Sequence, residues 1–142
     1  MDKLIKNIDH KTVLPIKYEV TYQKGQIVSK TLAQNENHSL TLFAFDKDEE
    51  ISTHESGGDA MVVALDGVGK ITIEGEEFIL HEGETIVMPS KKPHAVFAQE
   101  RFKMLLIVMF PENQKKKRGG VKFSPPPPFF ILFYRNVLLL RS

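Results

Sequence analysis

From Gln26 onward the chain alternates short apolar-rich runs with small clusters of Gly, Asn, Asp and Glu. Gln26 to Ala33 (QIVSKTLA) and Ser39 to Phe45 (SLTLFAF) are two such runs, and the polar segment between them predicts an antiparallel pair. Ile51 to His54 is a brief β-like run ending in histidine. Ala60 to Leu65 and Gly69 to Ile73 follow, punctuated by Asp66-Gly67. Glu74-Gly75-Glu76 reads as a hairpin turn into Glu77 to Leu80, and His81-Glu82-Gly83-Glu84 as a second turn into Thr85 to Met88. The pattern closes with His94 to Ala98 and the nearly unbroken apolar run Phe102 to Phe110, which predicts a strand covered on both faces or at an interface. Pro111 ends it. Helix has little room, and the spacing is that of an all-β sandwich or barrel. Before Gly25 the pattern is weaker. Asp2 to Asp9 fits a short helix or an edge strand, and Tyr18 to Tyr22 suits an outer strand that pairs with a neighbour.

The 142 residues suit one domain. We divide them into an N-terminal extension with a candidate edge strand (1–24), a barrel (25–113) and a basic, Pro-rich tail (114–142). The chain has no cysteine, so disulfides, thiolate metal sites and a cysteine nucleophile are excluded. Its N-terminus mixes charged with apolar residues and lacks the features of a secretion signal, so a cytoplasmic protein is expected. The formal charge of +1 conceals an asymmetry: residues 1–113 carry −6 and the last 29 residues +7. An acidic body argues against nucleic acid, whose binding draws affinity from Lys and Arg displacing counterions.

The tail, QKKKRGGVKFSPPPPFFILFYRNVLLLRS, contains no acidic residue and no period that would fit it to a barrel. Its apolar run Phe129 to Tyr134 is far shorter than the roughly 20 residues that span a bilayer, so no membrane anchor is expected. Three readings compete: a basic tail for nucleic acid or a membrane, a polyproline ligand, or sequence never selected as protein. We favour the third. Lys-Lys-Lys-Arg-Gly-Gly and Pro-Pro-Pro-Pro-Phe-Phe can be encoded by A-, G-, C- and T-rich runs in the order of an intrinsic transcription terminator. The tail is then expected to hold little stable structure.

Two stretches carry candidate chemistry. Gly83-Glu84-Thr85-Ile86-Val87-Met88-Pro89-Ser90-Lys91-Lys92-Pro93-His94 resembles the second motif of the cupin family, G-x5-P-x-G-x2-H. Lys91 replaces the second glycine, and Ala98 stands where that pattern ends in Asn. The first motif, G-x5-H-x-H-x3,4-E-x6-G, is matched by His54 and the closing Gly67. Asp48 stands at its opening glycine, Ser56 at the second histidine and Ala60 at the glutamate, with Asp59 one residue earlier. The resemblance covers Gln26 to Phe110 and implies a jelly-roll barrel, the double-stranded β-helix. It also implies a divalent metal (Mn, Fe, Ni, Cu or Zn) held by three histidines and a carboxylate inside the barrel. Period-two alternation points His54 and Ser56 the same way, with Glu55 outward, and His94 the same way as Val96. His54, His94 and Asp59 are therefore the candidate metal ligands. Asp59 reaches inward only if the Ser56-Gly57-Gly58 loop turns it; otherwise its side chain orders that turn.

His10, His38 and His81 are expected to be solvated, as is the acidic run Asp46 to Glu50. Met61, Val63, Met88, Phe97, Met104 and Met109 fill a core or line a pocket. No P-loop, dinucleotide fingerprint or nucleophile elbow is present. Three functional classes stay open: a barrel binding a small molecule through a metal held by two histidines, a metal-free binding or sensor barrel, and a structural protein with a vestigial pocket. Exposed β-edges favour a homodimer in each case.

Overall fold

In a sheet buried on one face, each side chain's parity decides whether it faces core or solvent, and the strands here are set by that rule. The computed structural model describes residues 3–112 and the backbone of a strand at 137–140. Its strands are β1 (Ile27–Gln34), β2 (His38–Phe45), β3 (Glu50–His54), β4 (Asp59–Ile73), β5 (Glu76–His81), β6 (Thr85–Met88), β7 (His94–Met109) and β8 (Val137–Leu140). All pairings are antiparallel except that of β8, which runs parallel to β1 from Ile27↔Val137 to Lys30↔Leu140. Residues 113–136 and 141–142, with the Lys-, Pro- and Phe-rich runs of the tail, lie outside the described residues.

The runs expected as separate strands on either side of Asp66-Gly67 are one strand, β4, and those on either side of Gln99 to Arg101 are another, β7. Both are long because each passes from one layer into the next, bending at register shifts between Ala64/Asp66 and Gly67/Gly69. Gly67 has a φ of +76°, so the Asp-Gly pair makes a bulge and not a turn. One layer holds β1, β2, the second half of β7, the first half of β4, and β6. The other holds β3, the first half of β7, the second half of β4, and β5. The expected hairpin turns are present, with Glu74, Gly75 and Gly83 at positive φ.

The facing inner surfaces form the main core, in which Phe43, Phe45, Phe102, Ile51, Ile71, Met104 and Leu106 are buried. A second cluster lies on the outer face of the first layer. There Val28, Leu32, Leu42 and Ala44 are covered by Ile8, Ile16, Val20 and Tyr22 of the N-terminal segment. This segment forms no strand; Ile16–Glu19 is a 3₁₀ turn, and extended backbone follows it where an outer strand was expected. It serves as a cover, and Leu105 on the outward parity of the run Phe102 to Phe110 packs against it.

Polar contacts pin that cover. Lys103, buried, donates from Nζ to the Lys17 carbonyl at 2.6 Å and lies 4.8 Å from the Tyr22 ring centroid. Burial lowers the Lys103 pKa, and the Asp66 carboxylate opposes that shift. The Tyr22 hydroxyl donates to Asp66 Oδ2 at 2.6 Å; burial, then that bond, raises the phenol's pKa. Removing the hydroxyl in Tyr22→Phe is expected to cost about 1–2 kcal/mol, read as a lower urea midpoint at unchanged slope.

Candidate functional site

His54 ends β3 and His94 begins β7, and the two are direct cross-strand partners. Ile73, at the end of β4, flanks His94 on the other side. Both histidines are buried and inward, as are Ser56 and Val96, while Glu55 is exposed, as alternation predicts. The imidazole centroids are 4.5 Å apart with the rings edge to face at 69°. The two expected histidines, forty residues apart in sequence, are thus brought together inside the barrel, at the end away from the bend.

The tautomers follow from the partners. His54 Nδ1 lies 2.9 Å from the Ser52 carbonyl, and His94 Nδ1 lies 3.1 Å from that of Lys92. A carbonyl only accepts, so each Nδ1 carries the proton and each Nε2 presents a lone pair. Burial lowers the His54 pKa, and it lowers that of His94 to about 4, with the neighbouring His54 adding to the effect. Both rings are therefore neutral near pH 7.

Asp59 is not brought to this pair. Its side chain is exposed, and Oδ1 accepts the Ser90 backbone N–H at 2.8 Å, ordering the loop between β6 and β7. Parity explains the difference: Ala60, at the glutamate position of the first motif, is the inward residue, and Asp59 one step earlier faces out. Ser56, at the second-histidine position, accepts the Gly58 N–H at 3.2 Å. Among the described residues no group of three His, Cys, Asp or Glu side chains converges. Two imidazoles with no carboxylate do not fit a resident divalent ion of the kind the motif implies.

The two glycines missing from the motifs are conformational requirements met by other residues. Asp48 has a φ of +70° and Lys91 of +62°, so both adopt the backbone that glycine would supply at no steric cost. The Lys91 N–H donates to the Ser56 carbonyl at 2.8 Å, which fastens this loop against the first motif. Lys91→Gly is accordingly expected to keep the loop and to change stability by less than about 1 kcal/mol in a denaturant titration.

Of the other candidates, Met88 and Met104 are in the core, Val63 and Phe97 are half-buried, and Met61 and Met109 are exposed on the outer face. His10, His38 and His81 bond to Ile5, Asn35 and Glu84 respectively, away from the pair. Sequence reasoning missed a group of inward hydroxyls. Phe43 and Phe45 belong to the interior, so by alternation Ser39 and Thr41 of β2 face it too. Ile27 likewise places Ser29 and Thr31 of β1 inward. Ser29, Ser39 and Thr41 are all buried.

A model of the cupin domain matches residues 41–110. A conserved protein of unknown function from Streptococcus pyogenes is 46% identical, over 79% of this chain and 98% of that one, with a TM-score of 0.77. A cupin superfamily protein from Desulfitobacterium hafniense is 30% identical, over 75% of this chain and 98% of that one, with a TM-score of 0.73. A Cupin 2 conserved barrel domain protein from Leptotrichia buccalis is 45% identical over 66% of this chain and 45% of its own, with a TM-score of 0.64. Comparison with curated proteins gives no match. The jelly roll, the facing histidines and these likenesses agree, and the chain belongs to the cupin superfamily.

Proposed function

We propose that this cupin binds a small organic molecule inside its barrel without a resident metal, using the paired imidazoles of His54 and His94 as neutral hydrogen-bonding groups. The observation that carries the reading is the donor set: two Nδ1-protonated histidines with no third ligating side chain converging on them among the described residues. Binding is favoured over proton-transfer catalysis by the same environment. A general base works best with a pKa near the operating pH, and a group lowered to about 4 is a weak base at neutrality.

Elemental analysis of the purified protein tests this reading. We expect well below about 0.1 equivalent of any first-row metal, and the same trace level in the His54→Ala/His94→Ala variant. A stoichiometric metal in the wild type that is lost in the variant would establish the two-histidine metal site instead. If the double variant changes nothing but stability, and no small molecule stabilises the wild type, the pocket is vestigial.

The barrel is further proposed to be a homodimer. Val87, Met61 and Ile107 form one cross-strand row on the outer face, and Val87 and Met61 are exposed there, as is Met109 in the row beside them. Light scattering is expected to give twice the mass of one chain, and Met61→Glu to halve it.

A further inference from the structure

The inner wall of the first layer has a chemical grain. Four cross-strand rows cross it, and three of them are polar at one end and apolar at the other. Ser29 pairs with Phe43, then Met104 and Ala64; Thr31 with Thr41, then Leu106, Val62 and Ile86. Ser39 leads to Val108, Ala60 and Met88, while the row at the bend, from Ile27 to Phe45 and Phe102, is wholly apolar. The hydroxyls thus all lie on β1 and β2, where they share the inner face with Ile27, Phe43 and Phe45, while β7, β4 and β6 present only apolar groups in these rows. β4 occupies one edge of β7 throughout its length, so β2 and β3 both lie on the other edge, in successive layers. The hydroxyl side of the wall is therefore the side that faces β3, the strand that carries His54.

Two of these hydroxyls have no partner among the described residues. Ser29 is 2% and Ser39 5% exposed, and neither Oγ makes a hydrogen bond to a described group. A buried hydroxyl with no partner costs about 1–3 kcal/mol, and alanine would remove that cost. Groups unfavourable to the fold itself, on the side of the wall that faces β3, are what a recognition surface requires.

Charge narrows the class of ligand. The buried polar side chains are Ser29, Ser39, Thr41, His54, Ser56, His94 and Lys103. Lys103 is committed on the outer face to the Lys17 carbonyl. No described Lys, Arg, Asp or Glu side chain faces the interior, so a carboxylate or phosphate would be buried there without a counter-charge. The Nε2 lone pairs accept from an O–H or N–H, and the serine hydroxyls donate to an oxygen.

We propose that the barrel recognises an uncharged amphipathic molecule of the alcohol or phenol class. Its polar group is held between Ser39 and the histidine pair, and its apolar body lies against Met88, Leu106 and Val108. This assignment rests on the metal-free binding reading.

Calorimetric titration with phenol, cyclohexanol, benzoate and cyclohexanecarboxylate tests it, using the full-length wild type, Ser39→Ala and His94→Gln. The neutral probes are expected to bind at least about tenfold more tightly than the carboxylates, and Ser39→Ala to weaken them at least about fivefold. In the same experiment Ser39→Ala is expected to keep or raise the thermal midpoint, which separates lost recognition from lost folding. Carboxylates binding as tightly as their neutral counterparts would overturn the ligand class. If Ser39→Ala then still weakens binding, interior binding itself stands. Neutral probes that fail to bind, or that bind equally to all three proteins, overturn the assignment of these residues. Metal content, measured on the same samples, tests the underlying reading independently.

Discussion

Replacing Gly67 with alanine is expected to destabilise the protein by at least about 3 kcal/mol, because two separate penalties fall on one position. Gly67 sits at φ +76°, a region costing other residues roughly 1–2 kcal/mol. A Cβ built there would also overlap Arg101 O and lie 2.7 Å from Arg101 C. These are backbone atoms of the paired strand and cannot rotate aside. The strands would have to separate where both pass from one layer to the other, next to the buried Phe102. Gly75 isolates the first penalty: its φ is +82°, yet an added Cβ would meet nothing within 4 Å. Gly75→Ala should therefore cost about 1 kcal/mol, while Gly67→Ala should lower the melting temperature by roughly 10–20 °C. Equal losses in the two variants would show that the close approach at the bend carries no energetic weight.

The same glycine shows how much of the fold was legible in the sequence. Asp66-Gly67 carries the residues of a turn, and a left-handed backbone does occur there. Whether such a residue reverses a chain or bends it depends on the partner strand, which lies more than thirty residues later. Local pattern therefore located the strands but not their continuity across the bend. The histidine pair was legible because each motif fixes a spacing within one segment and alternation fixes the face. Asp59 was a matter of one residue: shifting by one in a strand moves a side chain to the opposite surface, and Ala60 takes the inward place. The hydroxyl wall was hidden for a different reason. Leu40, Leu42 and Ala44 are apolar because the N-terminal segment covers them, so β2 is apolar at both parities and its interior face could not be read from alternation. Only the second cluster, formed with residues far earlier in the chain, distinguishes the face of Ser39 and Thr41 from the face of Leu40 and Leu42.

Acidification should weaken the fold through the histidine pair, with the loss falling between about pH 6.5 and pH 4. His94 has an ordinary value of 6.5 and is lowered to about 4 in the folded protein, by burial and by the nearby His54. His54 shifts in the same direction for the first of those reasons. The unfolded chain therefore takes up a proton at a pH where the folded one does not. Above pH 6.5 both states are neutral and the contribution is complete; below pH 4 both are charged and it has gone. The depression of His94 alone corresponds to a loss on the order of 3 kcal/mol. Urea titrations at pH 7, 5.5 and 4.5, comparing wild type with His94→Gln, measure it. Glutamine does not titrate, so the variant should lose less stability on acidification than the wild type, even if it starts lower at pH 7. Carboxylates such as the half-buried Asp46 and the exposed Glu84, whose pKa values are lowered by hydrogen bonds, add a loss at still lower pH that is common to both proteins. It therefore cancels in the difference. Parallel curves for the two proteins would mean that the imidazole of His94 can be charged in place at little cost, which is incompatible with a ring sealed inside the barrel against a second neutral one.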